Sequence, residues 1–484
     1  MTEPTMPIEL PEGELRVRFE GAPLPADVLQ ALHDSAIPVT VDTSERHDHG
    51  RDWWPLTIGW AAHGEVPALP GVVMFPRSTH DVATVLRIAH NAHIPVTPQG
   101  GRSGVVGGAI PTTGGIALDL TRLNSVISLD EESMTVTVES GCFGPDLENY
   151  LNQRGFTAGH FPQSFELATV GGWLACRGAG QLSNRYGKIE DIVRGLTVVL
   201  ANGTIIETGN RGPRSAVGPD LTQIFVGSEG TLGVITNATL TIRRLASHRA
   251  VAAYSFVTVR EGLDACRRII QRDARPAVLR LYDVPESQRN FKIDRCALVV
   301  LDEGEVDFVT TAMKIVEEEC ASGQREDDAI VHHWLEHRNN VSALTPLWSR
   351  DIVVDTIEVA GPWSTLMPIY EAVTAAILAI PSTVTATMHQ SHAYQDGACL
   401  YFTFAGRPES DLEVYYRSVW DAASHAVIQN GGALSHHHGV GRNRARFVPE
   451  ALGSGFEVLR HVKESLDPHH ILNPGVLGLG GASW

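Results

Sequence analysis

Five glycines fall within nine residues of the chain, at positions 100, 101, 104, 107 and 108 of the stretch PQGGRSGVVGG. Glycine has no Cβ atom, so its backbone can adopt positive φ angles and bring bare N–H groups against a ligand. A run of such N–H groups forms a concave anion site, which suits a diphosphate. Taken alone, this first glycine stretch fits a flexible surface turn equally well.

Two further stretches favour the ligand-binding interpretation. The second glycine stretch, residues 157–184, is long, irregular and rich in small residues, and the third, residues 226–235, reads VGSEGTLGVI. Neither the GxGxxG fingerprint that opens a Rossmann helix nor the GK[ST] of a Walker loop occurs in these stretches. Several separate loops indicate one extended cofactor lying across a domain, and FAD has the required length.

Three consecutive histidines, His436, His437 and His438, are candidates for proton chemistry, because imidazole changes charge near neutral pH. In an extended chain their side chains would alternate between two faces, so all three cannot easily bind one metal. The sequence therefore predicts no metal site here. Two interpretations stay open: a polar turn with one structural histidine, or a substrate site lined by one or two of the three.

Two polar residues interrupt apolar strand patterns in the second half of the chain. Tyr401 lies in LYFTF, where a core tyrosine with a satisfied hydroxyl is the common interpretation. Arg280 lies in VLRLY, and a buried arginine needs an anionic partner, either a structural carboxylate or a ligand. Nearer the N-terminus, His47 and His49 flank Asp48 in a polar stretch that we interpret as a solvated loop rather than a metal site.

Composition narrows the class of protein and of partner. The chain has 484 residues, and its net charge of −18 argues against nucleic acid as a main partner. Its hydrophobic fraction of 43% is typical of a soluble protein. The apolar run near residues 375–380 falls short of the roughly 18 residues that cross a bilayer, so we expect no transmembrane segment. Six scattered cysteines suit reduced thiols in a cytoplasmic location.

Periodicity predicts an α+β fold in which the glycine stretches precede a second domain. The first half shows a helix over 81–92, capped by Ser78 or Thr79, and a hairpin over 197–207 that turns at Asn202-Gly203. From about residue 249, strands alternate with amphipathic helices and the glycine stretches stop. The predicted strands there are 250–256, 297–301 and 399–404, and the predicted helices include 261–271 and 307–320.

Several motifs carry a resemblance to a known family. The chain resembles the vanillyl-alcohol-oxidase family of FAD proteins in PQGGRSG, GHFPQSFELATVGGW, NRYGKIEDIV, GSEGTLGVIT and ILNPG. It is most similar to the alkyldihydroxyacetonephosphate synthase branch in PAVLRLYD, DGACLYFTF and LSHHHGVGRNR. The resemblance implies a two-lobed FAD-binding domain with an inserted α/β cap domain. We expect a lead-in over 1–68, an FAD domain over 69–247, a cap over 248–435 and a tail over 436–484 that returns to the FAD domain.

The resemblance also implies which residues bind FAD. Relatives that bond FAD covalently through the first glycine loop place a histidine beside the glycine pair; Arg102 stands there in this chain, so we expect noncovalent FAD. The implied cofactor-binding residues are Pro98, Gln99, Gly100, Gly101, Arg102, Ser103, Gly104, Pro162, Gln163, Ser164, Phe165, Glu166, Leu167, Ala168, Ala175, Cys176, Arg177, Gly178, Glu229, Gly230, Thr231, Leu232, Gly233, Val234 and Ile235.

The synthase branch implies an activity: exchange of the acyl group of acyl-dihydroxyacetone phosphate for a fatty alcohol through a flavin N5 adduct, a step of ether lipid synthesis. Tyr401 matches the family's catalytic tyrosine, and the histidine trio and Arg280 would share the site. Arg338 corresponds either to a phosphate-binding arginine or to a solvated helix residue, and His389 and His392 would face a cap pocket.

The loop GGRSG and the tail ILNPGVL depart from the synthase pattern. They favour the alternative, an FAD-dependent oxidase or dehydrogenase that transfers hydride from a 2-hydroxy acid or alcohol to flavin N5. A flavin-binding protein without turnover is a third, disfavoured hypothesis. The implied partner is a small-molecule or lipid-like substrate, and a homodimer is a further hypothesis.

Overall fold

A computed structural model describes residues 5–209, 212–409 and 411–481; the first four and last three residues of the predicted lead-in and tail lie outside the described residues. The lead-in contains six short elements among its described residues: β1 (Arg16–Phe19), α1 (Ala26–Asp34), β2 (Val39–Thr40), α2 (Thr43–Asp48), α3 (Pro55–Ala62) and β3 (Glu65–Ala68).

The solvated loop predicted around His47 and His49 is wrong. Residues 43–48 form α2, and the Asp42 side chain accepts a hydrogen bond from the N–H of Glu45 at its start. His49 follows the helix, is only 3% exposed and hydrogen-bonds the Asp119 carboxylate at 2.8 Å. A partner 70 residues away in sequence therefore buries what local polarity suggested was exposed.

The glycine-rich half folds around two sheets. Strands β2, β4, β6 and β5 form a four-stranded sheet that is parallel except for β2, and β11, β10, β12, β8 and β7 form an antiparallel one. The elements are β4 (Val72–Met74), α4 (Thr79–Ala92), β5 (Val96–Gln99), β6 (Ile116–Asp119), β7 (Val126–Asp130), β8 (Thr135–Glu139), α5 (Gly144–Asn152), β9 (Phe156–Thr157), α6 (Val170–Ala175), α7 (Ser183–Tyr186), α8 (Ile189–Ile192), β10 (Val193–Val199), β11 (Ile205–Glu207), α9 (Thr222–Phe225), β12 (Val234–Thr241) and β13 (Arg243–Arg244).

The second half is built on a seven-stranded antiparallel sheet in the order β17-β14-β16-β15-β19-β20-β18, which we call the cap sheet. Its elements are β14 (His248–Phe256), α10 (Val259–Gln271), β15 (Val278–Tyr282), α11 (Val284–Phe291), β16 (Cys296–Gly304), α12 (Val306–Glu319), β17 (Gln324–Glu326), α13 (Ala329–His337), α14 (Thr345–Trp348), β18 (Val353–Pro362), α15 (Leu366–Leu378), β19 (Thr383–Ala393), β20 (Gly397–Gly406) and α16 (Leu412–Gln429). Short 3₁₀ helices cover Val341–Leu344, Ala445–Phe447 and Val476–Gly478, and the tail adds α17 (Val448–Leu452) and α18 (Gly455–Leu466).

Alternation along the strands divides the cap sheet into two faces. Leu400, Phe402 and Phe404 of β20 are fully buried in the core formed with helices α10, α15 and α16. The residues between them must point the other way, because successive strand side chains alternate. Tyr401 and Thr403 therefore lie on the opposite face, which lines the cavity shared with the glycine stretches.

The tail joins the first half through buried polar contacts. The N–H of Val96 donates to the carbonyl of Ile471 at 2.7 Å, and the ammonium of Lys463 donates to the carbonyls of Thr231 and Leu472 at 2.8 Å each. Lys463 is fully buried and pairs with Asp467. Among the described residues, the helices are all too short or too polar to span a bilayer.

Candidate active site

One cavity of about 750 Å³ connects the three glycine stretches with the polar face of the cap sheet. Most of the predicted FAD-binding residues line it: Pro98, Gln99, Gly100, Gly101, Arg102, Ser103, Gly104, Pro162, Gln163, Ser164, Leu167, Ala168, Ala175, Cys176, Gly178, Glu229, Gly230, Gly233, Val234 and Ile235.

Five predicted residues do not line the cavity, and two of them, Glu166 and Arg177, are exposed. Phe165 packs against Phe161, and Arg177 lies 3.3 Å from the Glu190 carboxylate. Thr231 donates its hydroxyl to the carbonyl of Ser228. The remaining two are Glu166 and Leu232, the latter in the core of the first half. The sequence of a motif cannot show which of its side chains face the cavity and which face away from it, because neighbouring side chains point in different directions.

The first glycine stretch is shaped to receive an anion. The N–H groups of residues 100–104 donate no hydrogen bond to any described part of the chain, so this run of main-chain donors stands ready for a ligand. Arg102 has a positive φ of 54° and is held by Asp119 at 3.1 Å. A cavity of this volume, with bare main-chain amides in its wall, is compatible with FAD, and the position of the diphosphate at the first stretch stays a prediction.

A row of polar side chains crosses the middle of the cap sheet. Strand register pairs Glu358 on β18 with Tyr401 on β20, Tyr401 with His389 on β19, and His389 with Tyr282 on β15. Paired residues share a face, so the four side chains form one line. The rings of Tyr401 and His389 stack at 4.7 Å, and the Tyr401 hydroxyl donates to the Thr356 hydroxyl at 3.0 Å.

The segment 435–438, here called the histidine loop, lies over this row. The ring centroids of His437 and His438 are 6.1 and 5.4 Å from that of Tyr401. Both residues line the cavity, whereas His436 lies behind them and hydrogen-bonds the Tyr394 hydroxyl at 2.6 Å. The ring of His437 contacts those of both His436 and His438, so the loop is curled and not extended as the alternation argument assumed.

His392 also lies outside the cavity wall. Its Nε2 hydrogen-bonds the carbonyl of Gly180 at 3.1 Å, which ties the cap to the second glycine stretch. Candidate ligand atoms of His392, Cys399, His436 and His437 lie within 4.8 Å of one another. That spacing is compatible with a metal ion, so the expected absence of a metal stays a prediction.

Burial keeps these imidazoles neutral. It lowers the pKa of His436 and of His438 to about 4 although the Glu358 carboxylate opposes the shift, and it lowers the pKa of His437 well below the usual range. His389 is affected in the same direction, with Glu286 opposing. Neutral imidazole can accept a proton, and Nδ1 of His438 has no hydrogen-bond partner in the described chain.

Two arginines form the positive end of the cavity. The guanidinium groups of Arg280 and Arg338 lie 5.4 and 5.6 Å from the ring of Trp334. Arg338 donates to the Gln181 side chain at 2.7 Å, and burial together with Arg280 and Arg249 lowers its pKa. Neither Arg280 nor Arg338 forms an ion pair with a carboxylate of the described residues, so the cavity carries charge that an anionic ligand can neutralise.

Sequence reasoning missed three residues of this site: Thr356, Glu358 and Trp334. Thr356 and Glu358 are polar residues in the strand pattern VVDTIEVAGP, and their two-residue spacing is a signal that both face the same side. Their partner Tyr401 is more than 40 positions away, so the sequence alone could not show what they face.

Comparisons with known proteins decide the family. A family model described as FAD binding domain matches residues 70–209, and one described as FAD linked oxidases, C-terminal domain, matches residues 245–477. The chain is 32% identical over 439 residues to the uncharacterized FAD-linked oxidoreductase YgcU of Escherichia coli (strain K12), covering 84% of this chain and 89% of that protein. The chain belongs to the vanillyl-alcohol-oxidase family of FAD-dependent enzymes.

This flavoenzyme is also 30% identical over 455 residues to alkyldihydroxyacetonephosphate synthase of Dictyostelium discoideum, covering 85% of this chain and 74% of the relative. A solved alkyldihydroxyacetonephosphate synthase structure superposes with a TM-score of 0.79 at 24% identity, covering 98% of this chain and 89% of that one, which shows the shared fold. FAD as cofactor and the α+β architecture are thereby confirmed. Noncovalent attachment and the individual residue roles stay predictions.

Proposed function

We propose that this flavoenzyme is an alkyldihydroxyacetonephosphate synthase-type transferase. It would replace the carboxylate of an acyl-dihydroxyacetone phosphate with a fatty alcohol, releasing a fatty acid without net electron transfer. The observation that carries the proposal is the position of Tyr401, in the middle of the polar row and beneath two neutral imidazoles. A sequence identity of 30% to alkyldihydroxyacetonephosphate synthase of Dictyostelium discoideum supports the same assignment.

Tyr401 and the histidine loop would handle the protons. Burial raises the pKa of Tyr401, so the phenol does not ionise by itself at neutral pH. His438, whose Nδ1 makes no hydrogen bond in the described chain and lies 3.8 Å from the Glu358 carboxylate, would take a proton that Tyr401 relays from the substrate carbon beside the carbonyl. The carboxylate would leave with one proton, and the proton that the incoming alcohol loses would restore the one that the substrate carbon gave up.

Arg280 and Arg338 would hold the substrate phosphate, since both carry charge that no described carboxylate pairs with. A guanidinium binds phosphate through two parallel hydrogen bonds and fixes its orientation. When bound, FAD supplies a nucleophilic ring nitrogen and an electron-accepting ring system. The first glycine stretch would hold its diphosphate, and the other two stretches would line the rest.

The alternative is an oxidase or dehydrogenase acting on a 2-hydroxy acid or alcohol. Neutral His389 is stacked on Tyr401 and could take the hydroxyl proton, and bound FAD would supply the acceptor for the hydride from the carbon that bears the hydroxyl. The arginine pair suits a substrate carboxylate as well as a phosphate. The description of the second family model, which names FAD linked oxidases, also favours this candidate.

Two anaerobic experiments separate the candidates. Incubation with palmitoyl-dihydroxyacetone phosphate and labelled hexadecanol should move label into the ether product while the flavin absorbance recovers after each turnover. Incubation with D-lactate, glycolate or 2-hydroxyglutarate should leave the flavin oxidised. Lasting bleaching by a hydroxy acid without label exchange would replace the synthase assignment with the dehydrogenase.

A further inference from the structure

The carboxylate of Glu358 is enclosed by the main chain of the histidine loop. Its Oε2 accepts hydrogen bonds from the N–H of His436 and, at 3.2 Å, from that of His437. Its Oε1 accepts from the N–H of His438 at 2.9 Å and from the Ser435 hydroxyl at 2.7 Å. Successive main-chain N–H groups that converge on one anion form an anion-binding nest, and here the anion belongs to the protein.

This nest explains the shape of the histidine loop. Three consecutive N–H groups can point at one carboxylate only if the chain curls around it, and the side chains then spread from the outside of the curl. His437 and His438 consequently reach the Tyr401 ring. Because Glu358 pairs with Tyr401 in the strand register, the same residue fixes the loop directly over the row.

Glu358 itself does not reach the cavity. It is fully buried and absent from the cavity wall, and its Oε1 lies 3.0 Å from a guanidinium nitrogen of Arg444, which is fully buried as well. Burial favours a neutral carboxyl, but Arg444, His438, His436 and the loop amides outweigh it and hold the pKa of Glu358 at about 2. The nest is therefore occupied by a charged group throughout the neutral range.

We propose that Glu358 is a positioning residue that holds the imidazoles of His437 and His438 against Tyr401. It holds the main chain of the loop, its carboxylate oxygens lie 4.0 and 3.8 Å from Nδ1 of His437 and His438, and it does not line the cavity. The inference rests on the proposed role of the histidine loop in turnover, although the grip on the loop amides is a separate, directly measurable property.

The test compares Glu358→Gln and Ser435→Ala with the wild-type holoenzyme. Glutamine has one acceptor oxygen and cannot satisfy all the donors of the nest. We expect the amides of residues 436–438 to exchange with deuterium at least about tenfold faster, the effect of losing one hydrogen bond to a charged acceptor. We also expect kcat for label exchange to fall at least about tenfold with KM and FAD content unchanged. Ser435→Ala removes one donor without changing charge and should shift both readouts less, in the same direction.

Asp302→Asn is the matched control, because Asp302 is a fully buried, ion-paired carboxylate of the same sheet that does not contact the histidine loop. It should lower stability without changing exchange at 436–438. Unchanged exchange in both Glu358→Gln and Ser435→Ala overturns the inference. Faster exchange with full turnover also overturns it, by showing that the loop need not be held. If the wild type incorporates no label into an ether product, reduction of the flavin by a hydroxy acid replaces label incorporation as the measure of turnover. If neither reaction occurs, the proposed function has failed, and deuterium exchange of the loop amides alone decides whether Glu358 holds the loop.

Should Glu358→Gln not fold, Glu358→Asp takes its place. Aspartate keeps the charge opposite Arg444, but it is one methylene shorter and cannot reach the whole nest. Faster exchange of the loop amides in that variant supports the inference, and wild-type exchange contradicts it.

Discussion

Tyr401 combines two properties that seldom coincide in a core residue. Its hydroxyl is held by Thr356, and its ring is surrounded by the imidazoles of His389, His437 and His438. Because burial raises the pKa of the phenol and lowers those of the imidazoles, the neutral forms of both partners coexist over the neutral range. Both shifts oppose net transfer of the phenol proton to an imidazole, so Tyr401 rests as a neutral hydrogen-bond donor beside neutral imidazoles.

Replacing Tyr401 with phenylalanine tests this arrangement. Tyr401→Phe keeps the ring and its stacking but removes the exchangeable proton, so we expect turnover to fall by about 10²–10⁴-fold. The flavin spectrum and FAD content should not change. Tyr254→Phe is the control, since Tyr254 is another buried tyrosine of the cap sheet, away from the cavity wall. Wild-type turnover in Tyr401→Phe would remove the tyrosine from the mechanism.

Arg280 offers a second residue-scale prediction. Its side chain lies beside Trp334 and forms no ion pair with a described carboxylate; the buried Glu286, whose pKa it helps to lower, keeps Arg289 and His389 as partners when Arg280 is lost. Arg280→Met should raise KM for the anionic substrate at least about tenfold, because a charge-assisted hydrogen bond contributes about 1.5–3 kcal/mol. KM for the uncharged fatty alcohol serves as the internal control. An equal rise for both substrates would indicate a general distortion of the cavity instead of lost anion binding.

At the scale of elements, the cap sheet aligns polar residues from separate strands into one row. The pattern in LYFTF was sufficient to predict the strand and to single out Tyr401, and the hairpin at Asn202-Gly203 was also predicted correctly. The row that joins Glu358, Tyr401 and His389 could not be predicted, because strand register between distant segments is fixed by packing of the whole sheet. Likewise, His49 was misjudged because Asp119 is remote in sequence. The domain boundaries stay predictions.

Asp355, a buried carboxyl of β18, should make the free energy of unfolding depend on pH. Burial raises the pKa of this carboxyl to about 7, although Tyr416, which donates to it at 2.5 Å, opposes the shift. The folded protein thus holds a proton that the unfolded chain releases near pH 4. The resulting stabilisation is complete below about pH 4 and is lost as the pH rises towards 7, at about 1.4 kcal/mol per pH unit.

Asp355→Asn lacks this titration. We therefore expect the free energy of unfolding of the wild type, minus that of the variant, to decrease as the pH rises from about 4 to about 7 and then to level off. Urea unfolding at several pH values measures the difference. A difference that is constant with pH would mean that Asp355 is ionised in the folded protein throughout.

At the scale of the whole molecule, we predict that FAD binding depends on contact between glycine stretches that are distant in sequence. A Cβ atom built on Gly101 of the first stretch would lie 1.9 Å from the carbonyl oxygen of Leu167 in the second. The obstacle is backbone, so it cannot rotate away, and one of the two cavity walls must move. Gly101→Ala should consequently purify with less FAD and bind added FAD at least about tenfold more weakly, as a shift of 1.4 kcal/mol or more would give.

Gly455→Ala is the matched control, because a Cβ atom there meets nothing within 4 Å. The ratio of flavin to protein absorbance and a fluorescence titration with FAD measure both variants. Acid precipitation of the wild type should also release FAD into the supernatant, since Arg102 stands where covalently linked relatives have histidine. Flavin retained in the precipitate would show that a covalent bond forms at another residue.

For the Gly101→Ala variant, full FAD occupancy would show that the two stretches can separate without loss of the cofactor.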